Sequence, residues 1–306
     1  MGSHHGHSHA EASTHRGSLA VVCGITGVVV IAQFAGAWLT GSLALLTDAV
    51  HSLTDSIGLL VALLAAVLMG RAPTSTRTWG LRRVEVLAAV VQALLLLGIG
   101  VYAAVEGVAR LSAAPTIPPL ELLIFGAVGL VGNVISLLVL RAGRRSSLNM
   151  RAAFLEVAAD GLGSLGVMVA AVVIALTGWH QADAVAALAI AALILPRAAL
   201  LLREAVRILL EFTPRGIDLE EVREHMLTQP HVREVHDLHA STVASGLPVI
   251  TGHVVVDDSC FRDGHAPEIL EHLRTCVAEH FPVSLEHSTF QIETAAVAAR
   301  ERHRHR

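Results

Sequence analysis

Runs of apolar residues recur six times along the 306-residue chain, at about 19–39, 43–69, 84–108, 120–140, 152–176 and 184–210. Each is long enough to cross a hydrocarbon layer of roughly 30 Å, which takes about 20 helical residues. The pattern predicts six transmembrane helices in a domain spanning 18–212. A histidine-rich stretch, not a charged leader, precedes the first run, and no small-residue cleavage site followed by soluble sequence comes after it. That run therefore reads as a span and not as a cleaved signal. Pro196 inside the sixth run should kink it or free a carbonyl.

Beyond Thr213-Pro214-Arg215-Gly216 the periodicity changes. Residues 218–227 read as a helix, with Asp218 as N-cap and Glu221 at capping-box spacing. Residues 235–243 and 247–256 alternate like antiparallel strands around Ala244-Ser245-Gly246. Residues 267–280 form a second helix with proline near its first turn, and 288–293 a third strand. This order predicts a small α+β domain with one sheet over 213–294, flanked by a disordered histidine-rich segment at 1–17 and a basic tail at 295–306.

Composition agrees with this division. Of the 48 charged side chains, 24 lie in residues 1–212 and 24 in the 94 residues that follow, so the chain is a greasy part joined to a soluble one. The formal charge of −4 and the absence of lysine exclude a basic nucleic-acid binder. Cys23, Cys260 and Cys276 form no CxxC, so they provide neither a disulfide framework nor a thiolate knuckle. Arginines cluster after the second span (Arg71, Arg77, Arg82, Arg83) and after the fourth (Arg141, Arg144, Arg145, Arg151). The positive-inside rule places those loops, and with them both termini, in the cytoplasm.

Ionisable residues within the spans carry the candidate chemistry. His51 and Asp55 in the second span are i and i+4, as are Glu156 and Asp160 in the fifth, so each pair shares a helix face. Such residues cost at least about 2.5 kcal/mol each at bilayer depth and normally face the bundle interior. Together the two faces supply one imidazole and three carboxylates, a set suited to tetrahedral Zn²⁺ or a similar divalent ion. Asp48, one turn earlier, reads either as a relay carboxylate or as a hydrogen-bonded helix partner, and Asn133 as a pathway group or an interhelical bond. Gly161, Gly163, Ser164 and Gly166 permit close helix approach. Glu85, Glu106, Glu121 and Asp183 read as interfacial.

With these motifs in place, the chain resembles the cation diffusion facilitator family of divalent-metal transporters. The likeness rests on Leu46 to Asp55, Gly132-Asn133, Glu156 to Gly166, Leu210 to Asp218, His236-Asp237-Leu238-His239 and Thr289-Phe290-Gln291-Ile292-Glu293. The resemblance implies an inner-membrane homodimer that exports Zn²⁺ in exchange for protons, with His51, Asp55, Glu156 and Asp160 as the transport site. It implies a ferredoxin-like, metallochaperone-like cytoplasmic domain. There His239, His253, His287 and Glu293 match positions that bind regulatory zinc, with His236 and His265 as further candidates. The departure is Glu156, where zinc members often carry histidine. A carboxylate there makes the site harder and more accepting of Mn²⁺.

Apart from His15 and His180, the remaining histidines divide into three groups. His4-His5-Gly6-His7-Ser8-His9 reads either as a metal collector at the cytoplasmic entrance or as the remnant of an affinity tag. His225, His231, His272 and His280 read as solvated helix or turn residues. His303 and His305 lie in the basic tail and carry no assigned chemistry. Two other functions stay open beside zinc export: the same fold with Mn²⁺, Fe²⁺, Co²⁺, Ni²⁺ or Cd²⁺ as main cargo, and a membrane metal sensor without transport. An intramembrane metalloenzyme would need a motif such as HExxH, and none occurs.

Overall fold

The computed structural model describes residues 7–69, 74–141 and 148–301, and the side chains of 21–58, 74–141 and 153–300. The side chains of the N-terminal histidine run, of Arg71, Arg144, Arg145 and Arg151, and of His303 and His305 lie outside the described residues. The chain forms two compact units, residues 1–64 with 88–202, and residues 65–87 with 203–306.

Six long helices account for the first unit among the described residues: α1 (His7–Thr40), α2 (Leu43–Met69), α3 (Val84–Ser112), α4 (Pro119–Arg141), α5 (Leu148–Thr177) and α6 (Gln181–Leu209). Five of them are long and apolar enough to cross a membrane. The other, α2, has 27 residues, with side chains described only as far as Gly58. α1 starts at His7, twelve residues before the apolar run begins, so its backbone is helical through most of the histidine-rich segment. α6 stays continuous through Pro196.

Helix ends follow local chemistry. Gly41 and Gly178 close α1 and α5 in the left-handed conformation (φ 70° and 68°), which glycine adopts without a Cβ penalty. Pro119 opens α4, where its missing N–H would be unpaired in any case. α4 packs against both α1 and α5. The interior is apolar, built around Leu43, Leu45, Leu96, Leu122, Val167, Ile174 and Ile190. Val28, Ile31, Leu94, Val105, Leu138 and Leu193 point outward, the distribution expected where the solvent is lipid.

In the second unit, α7 (Leu219–Leu227) precedes the hairpin β1 (Val232–Ala244) and β2 (Leu247–Val256). α8 (Cys260–Asp263), α9 (Ala266–Glu279), β3 (His287–Glu293) and α10 (Ala295–Glu301) follow. Asp218 caps α7 through Oδ1, which accepts from Glu220 N at 2.9 Å. β2 is central, antiparallel to β1 and parallel to β3. Val222 and Met226 of α7 and Ile269, Leu273 and Val277 of α9 join Val235, Leu238, Ile250, Val254 and Phe290 in one core on one face of the sheet. α10 occupies part of the stretch read as a tail, because Ala-Ala-Val-Ala-Ala-Arg-Glu is strongly helix-forming.

Register departs from regular alternation at one place that matters. His236 pairs with His253 and His239 with Thr251, so Asp237 and Leu238 together oppose Gly252. This is a β-bulge, and Asp237 takes it up with φ 49°. Leu238 turns into the core, and a Cβ on Gly252 would stand 2.8 Å from Leu238 Cδ1. A side chain at that position would force Leu238 to shift.

Candidate metal centre

His51 and Asp55 of α2 and Asp160 of α5 converge in the buried interior of the first unit. His51 Nε2 lies 3.9 Å from Asp55 Oδ2 and 3.7 Å from Asp160 Oδ1. One ligand atom from each of the three falls within 4.8 Å of the others. His51 Nδ1, Asp55 Oδ1 and Asp160 Oδ1 are buried without a hydrogen-bond partner. Unpaired buried polar atoms cost about 1–3 kcal/mol each, and a divalent cation is the ligand that suits an imidazole and two carboxylates at these separations.

Glu156, one turn before Asp160, faces a different partner. Arg197 Nη2 of α6 donates to Glu156 Oε1 at 2.8 Å, and Nη1 to Asp55 Oδ2 at 3.3 Å. The sequence reading leaves Arg197 out. Its signal was available: an arginine inside an apolar run needs a carboxylate partner at depth.

A polar network lies one turn from this cluster. Asp48 Oδ2 accepts from Gln33 Nε2 of α1 at 2.6 Å and from Ser164 Oγ of α5 at 2.9 Å. Asn133 Nδ2 of α4 reaches Ser164 Oγ at 3.4 Å. Asp48 and Asn133 are thus interhelical hydrogen-bonding residues, joining four helices. Gly163 leaves room for this approach, since a Cβ on it would overlap Asp48 Oδ1 and displace that side chain, whereas Gly166 faces open space.

Asp183, in the first turn of α6, is buried within the protein. It is 1% exposed, and it accepts from Leu43 N at 2.7 Å, from Ala44 N at 3.4 Å and from Ser42 Oγ. The first two donors are amides at the start of α2 that have no partner within the helix. A residue 140 positions away thereby caps the helix that carries His51 and Asp55, a relationship no local pattern encodes.

On the sheet face away from the core, His236, His253 and Glu293 come together, again within 4.8 Å. His236 Nε2 is 2.6 Å from Glu293 Oε1, and His253 Nδ1 is 3.9 Å from Glu293 Oε2. Of the four residues matched by resemblance, His253 and Glu293 belong to this cluster. His239 lies one pairing step along the strand, 72% exposed, with Nε2 3.0 Å from Asp237 Oδ1. His287 sits at the opposite end of β3 from Glu293, its ring 4.7 Å from that of Trp79. The bulge explains the exchange: it sets His236, not His239, opposite His253. His265 pairs with Asp263 at 2.8 Å instead, and this contact raises the imidazole above its usual pKa.

Residues 19–210 match the cation efflux transmembrane domain, and residues 214–295 the cation efflux protein cytoplasmic domain. The chain belongs to the cation diffusion facilitator family. This facilitator is 39% identical to the metal cation efflux system protein CzcD of Cupriavidus metallidurans, over 95% of its own length and 90% of that protein. It is 35% identical to a cadmium, cobalt and zinc/H(+)-K(+) antiporter of Bacillus subtilis, with 95% and 93% covered. Identity to the zinc transporter ZitB of Escherichia coli is also 35%, with 94% and 92% covered. The solved metal-bound C-terminal domain of CzcD is 35% identical and covers 25% of this chain and 99% of that domain, with a TM-score of 0.22. The facilitators are a transporter family, and metal cation efflux is the activity this membership carries.

Proposed function

We propose that this facilitator exports Zn²⁺ from the cytoplasm in exchange for protons, with His51, Asp55, Glu156 and Asp160 as its transport site. The observation that carries the reading is the buried convergence of one imidazole nitrogen and two carboxylates from α2 and α5, each of these side chains also keeping a buried atom without a hydrogen-bond partner. Glu156 joins the set when its bond to Arg197 opens. Relatives named as a zinc transporter and as a cadmium, cobalt and zinc antiporter support the cargo and the coupling.

Charge gives Arg197 its role. Two imidazoles and two carboxylates, the arrangement frequent among zinc members, carry −2 when ionised. Three carboxylates carry −3, and the guanidinium beside them returns the total to −2, the charge one divalent cation neutralises. Arg197 therefore compensates for Glu156 and bridges it to Asp55. Protons compete with the cation for the same oxygens, which couples metal entry to proton release.

The arginine-rich connections support a multi-pass inner-membrane protein with both termini in the cytoplasm, and the match to the cytoplasmic domain of cation efflux proteins supports a homodimer. The His236, His253 and Glu293 cluster serves as its regulatory zinc site. Flux in proteoliposomes loaded with a pH-sensitive dye tests the reading. Zn²⁺ uptake with opposing proton movement, abolished by Asp160→Ala, is expected. Normal flux in Asp160→Ala overturns the site, binding without flux makes the chain a sensor, and faster flux of Mn²⁺, Fe²⁺, Co²⁺, Ni²⁺ or Cd²⁺ changes the main cargo.

A further inference from the structure

A second cluster of donors lies on the helical side of the cytoplasmic domain, where α7 and α9 cover the sheet. Cys276 on α9 and His280 at its C-cap are i and i+4, with His280 still in a helical backbone conformation, so they share a face. His225, in the last turn of α7, points at the same place. His225 Nε2 is 2.9 Å from His280 Nδ1, and one ligand atom from each of His225, Cys276 and His280 lies within 4.8 Å of the others. His236, His253 and Glu293 stand on the opposite face of the sheet, so the two clusters are separate.

We infer that His225, Cys276 and His280 form a further metal site, selective for borderline and soft divalent ions such as Zn²⁺, Co²⁺ and Cd²⁺. Geometry favours it. With Zn–N bonds of about 2.0–2.1 Å, two nitrogens on a tetrahedral ion stand about 3.3 Å apart. The imidazole nitrogens need separate by only about 0.4 Å to admit the ion. A thiolate at about 2.3 Å from the metal stands about 3.6 Å from each nitrogen, within the observed spread.

Local structure holds the donors in place. The backbone N–H of His280 bonds to Cys276 O at 3.1 Å, fixing the end of α9. The His225 ring meets Phe281 edge-on at 5.7 Å. Thr228 Oγ1 donates to His225 O at 2.7 Å and ties down the end of α7. Cys276 is buried, His225 half-buried and His280 exposed, so an ion enters from the His280 side, and its fourth position remains open to water or an exchanging ligand. Nitrogen and sulfur donors without a carboxylate exclude Mg²⁺ and Ca²⁺.

A thiol binds metal as the thiolate. On binding, the S–H bond breaks, a sulfur–metal bond forms and the proton passes to solvent. Occupancy therefore falls as pH falls. A bound ion would link α7 to α9 and report soft metal in the cytoplasm independently of the transport site.

Co²⁺ titration of the full-length protein in detergent micelles tests this. A thiolate-to-cobalt charge-transfer band is expected in the near ultraviolet, saturating at one Co²⁺ per chain and displaced by Zn²⁺ or Cd²⁺. It should persist in Cys23→Ser, Cys260→Ser and the transport-site variant Asp160→Ala, and vanish in Cys276→Ser. His225→Ala and His280→Ala should each raise the half-saturating Co²⁺ concentration by about tenfold or more, the lower end of what losing even an outer-shell partner costs. No band, a band surviving Cys276→Ser, or unchanged half-saturation in both histidine variants overturns the site. Where Cys276→Ser yields no folded protein, His280→Ala, at an exposed ring, decides the matter. The readout is binding alone, so it stands or falls apart from flux.

Discussion

Arg197 donates to Glu156 at 2.8 Å and with its other terminal nitrogen reaches Asp55 at 3.3 Å. One guanidinium thus spans a carboxylate from each of the two ligand-bearing helices, α2 and α5. Removing it leaves three carboxylates in a low-dielectric interior with no fixed counter-charge. Arg197→Ala is expected to slow Zn²⁺-for-proton exchange in proteoliposomes by about tenfold or more, equivalent to roughly 1.4 kcal/mol. Adding Glu156→His to that variant restores the charge of −2 and should recover most of the flux. Equal loss in the single and double variants would falsify the compensation.

Cargo preference should follow the single imidazole. His51→Asp makes the intramembrane set all-oxygen, and hard ions gain relative to borderline ones. The Mn²⁺-to-Zn²⁺ flux ratio, measured by competition in the same vesicles, is expected to rise about tenfold while Zn²⁺ flux falls. An unchanged ratio would place metal choice outside His51.

Asp183 supports the site at a distance by capping α2. Loss of such a cap costs about 1–2 kcal/mol, so Asp183→Ala should lower the thermal midpoint of the detergent-solubilised protein. Asp183→Asn retains an acceptor oxygen and should recover part of the loss. A midpoint unmoved by Asp183→Ala would mean that the capping bonds contribute no net stability.

In the cytoplasmic domain the bulge at Asp237 and Leu238 separates two histidines that the sequence sets three residues apart. His236→Ala is expected to weaken Zn²⁺ binding by calorimetry in the Asp160→Ala background, by about tenfold or more. His239→Ala, altering an exposed ring, should change it less than about twofold. The opposite ranking would return the regulatory site to the residues matched by resemblance.

What was legible in the sequence was periodic or local. Apolar runs gave the positions of all six long helices, and the i,i+4 spacing gave the pairs His51 with Asp55 and Glu156 with Asp160. Alternation around Ser245-Gly246 gave the hairpin. α1 was read as starting too late, because hydropathy marks where a helix becomes apolar and carries no information on where its backbone begins. The capping role of Asp183 stayed hidden for a related reason: a charge at the end of an apolar run looks solvated until the helix start it caps is brought beside it.

By itself the sequence determined which faces of α2 and α5 carry donors and that a soluble α+β domain follows, because both depend on repeats within one segment. Only tertiary structure decided that Arg197 lies between Glu156 and Asp55, that Asp183 caps α2, and that His236 opposes His253. It also decided that Cys276, without a CxxC, has two imidazoles beside it. These pairings depend on how helices far apart in the chain are rotated against one another and on a single extra residue in one strand. Neither quantity is written in the spacing of residues along a segment, since both are set by packing the segments together.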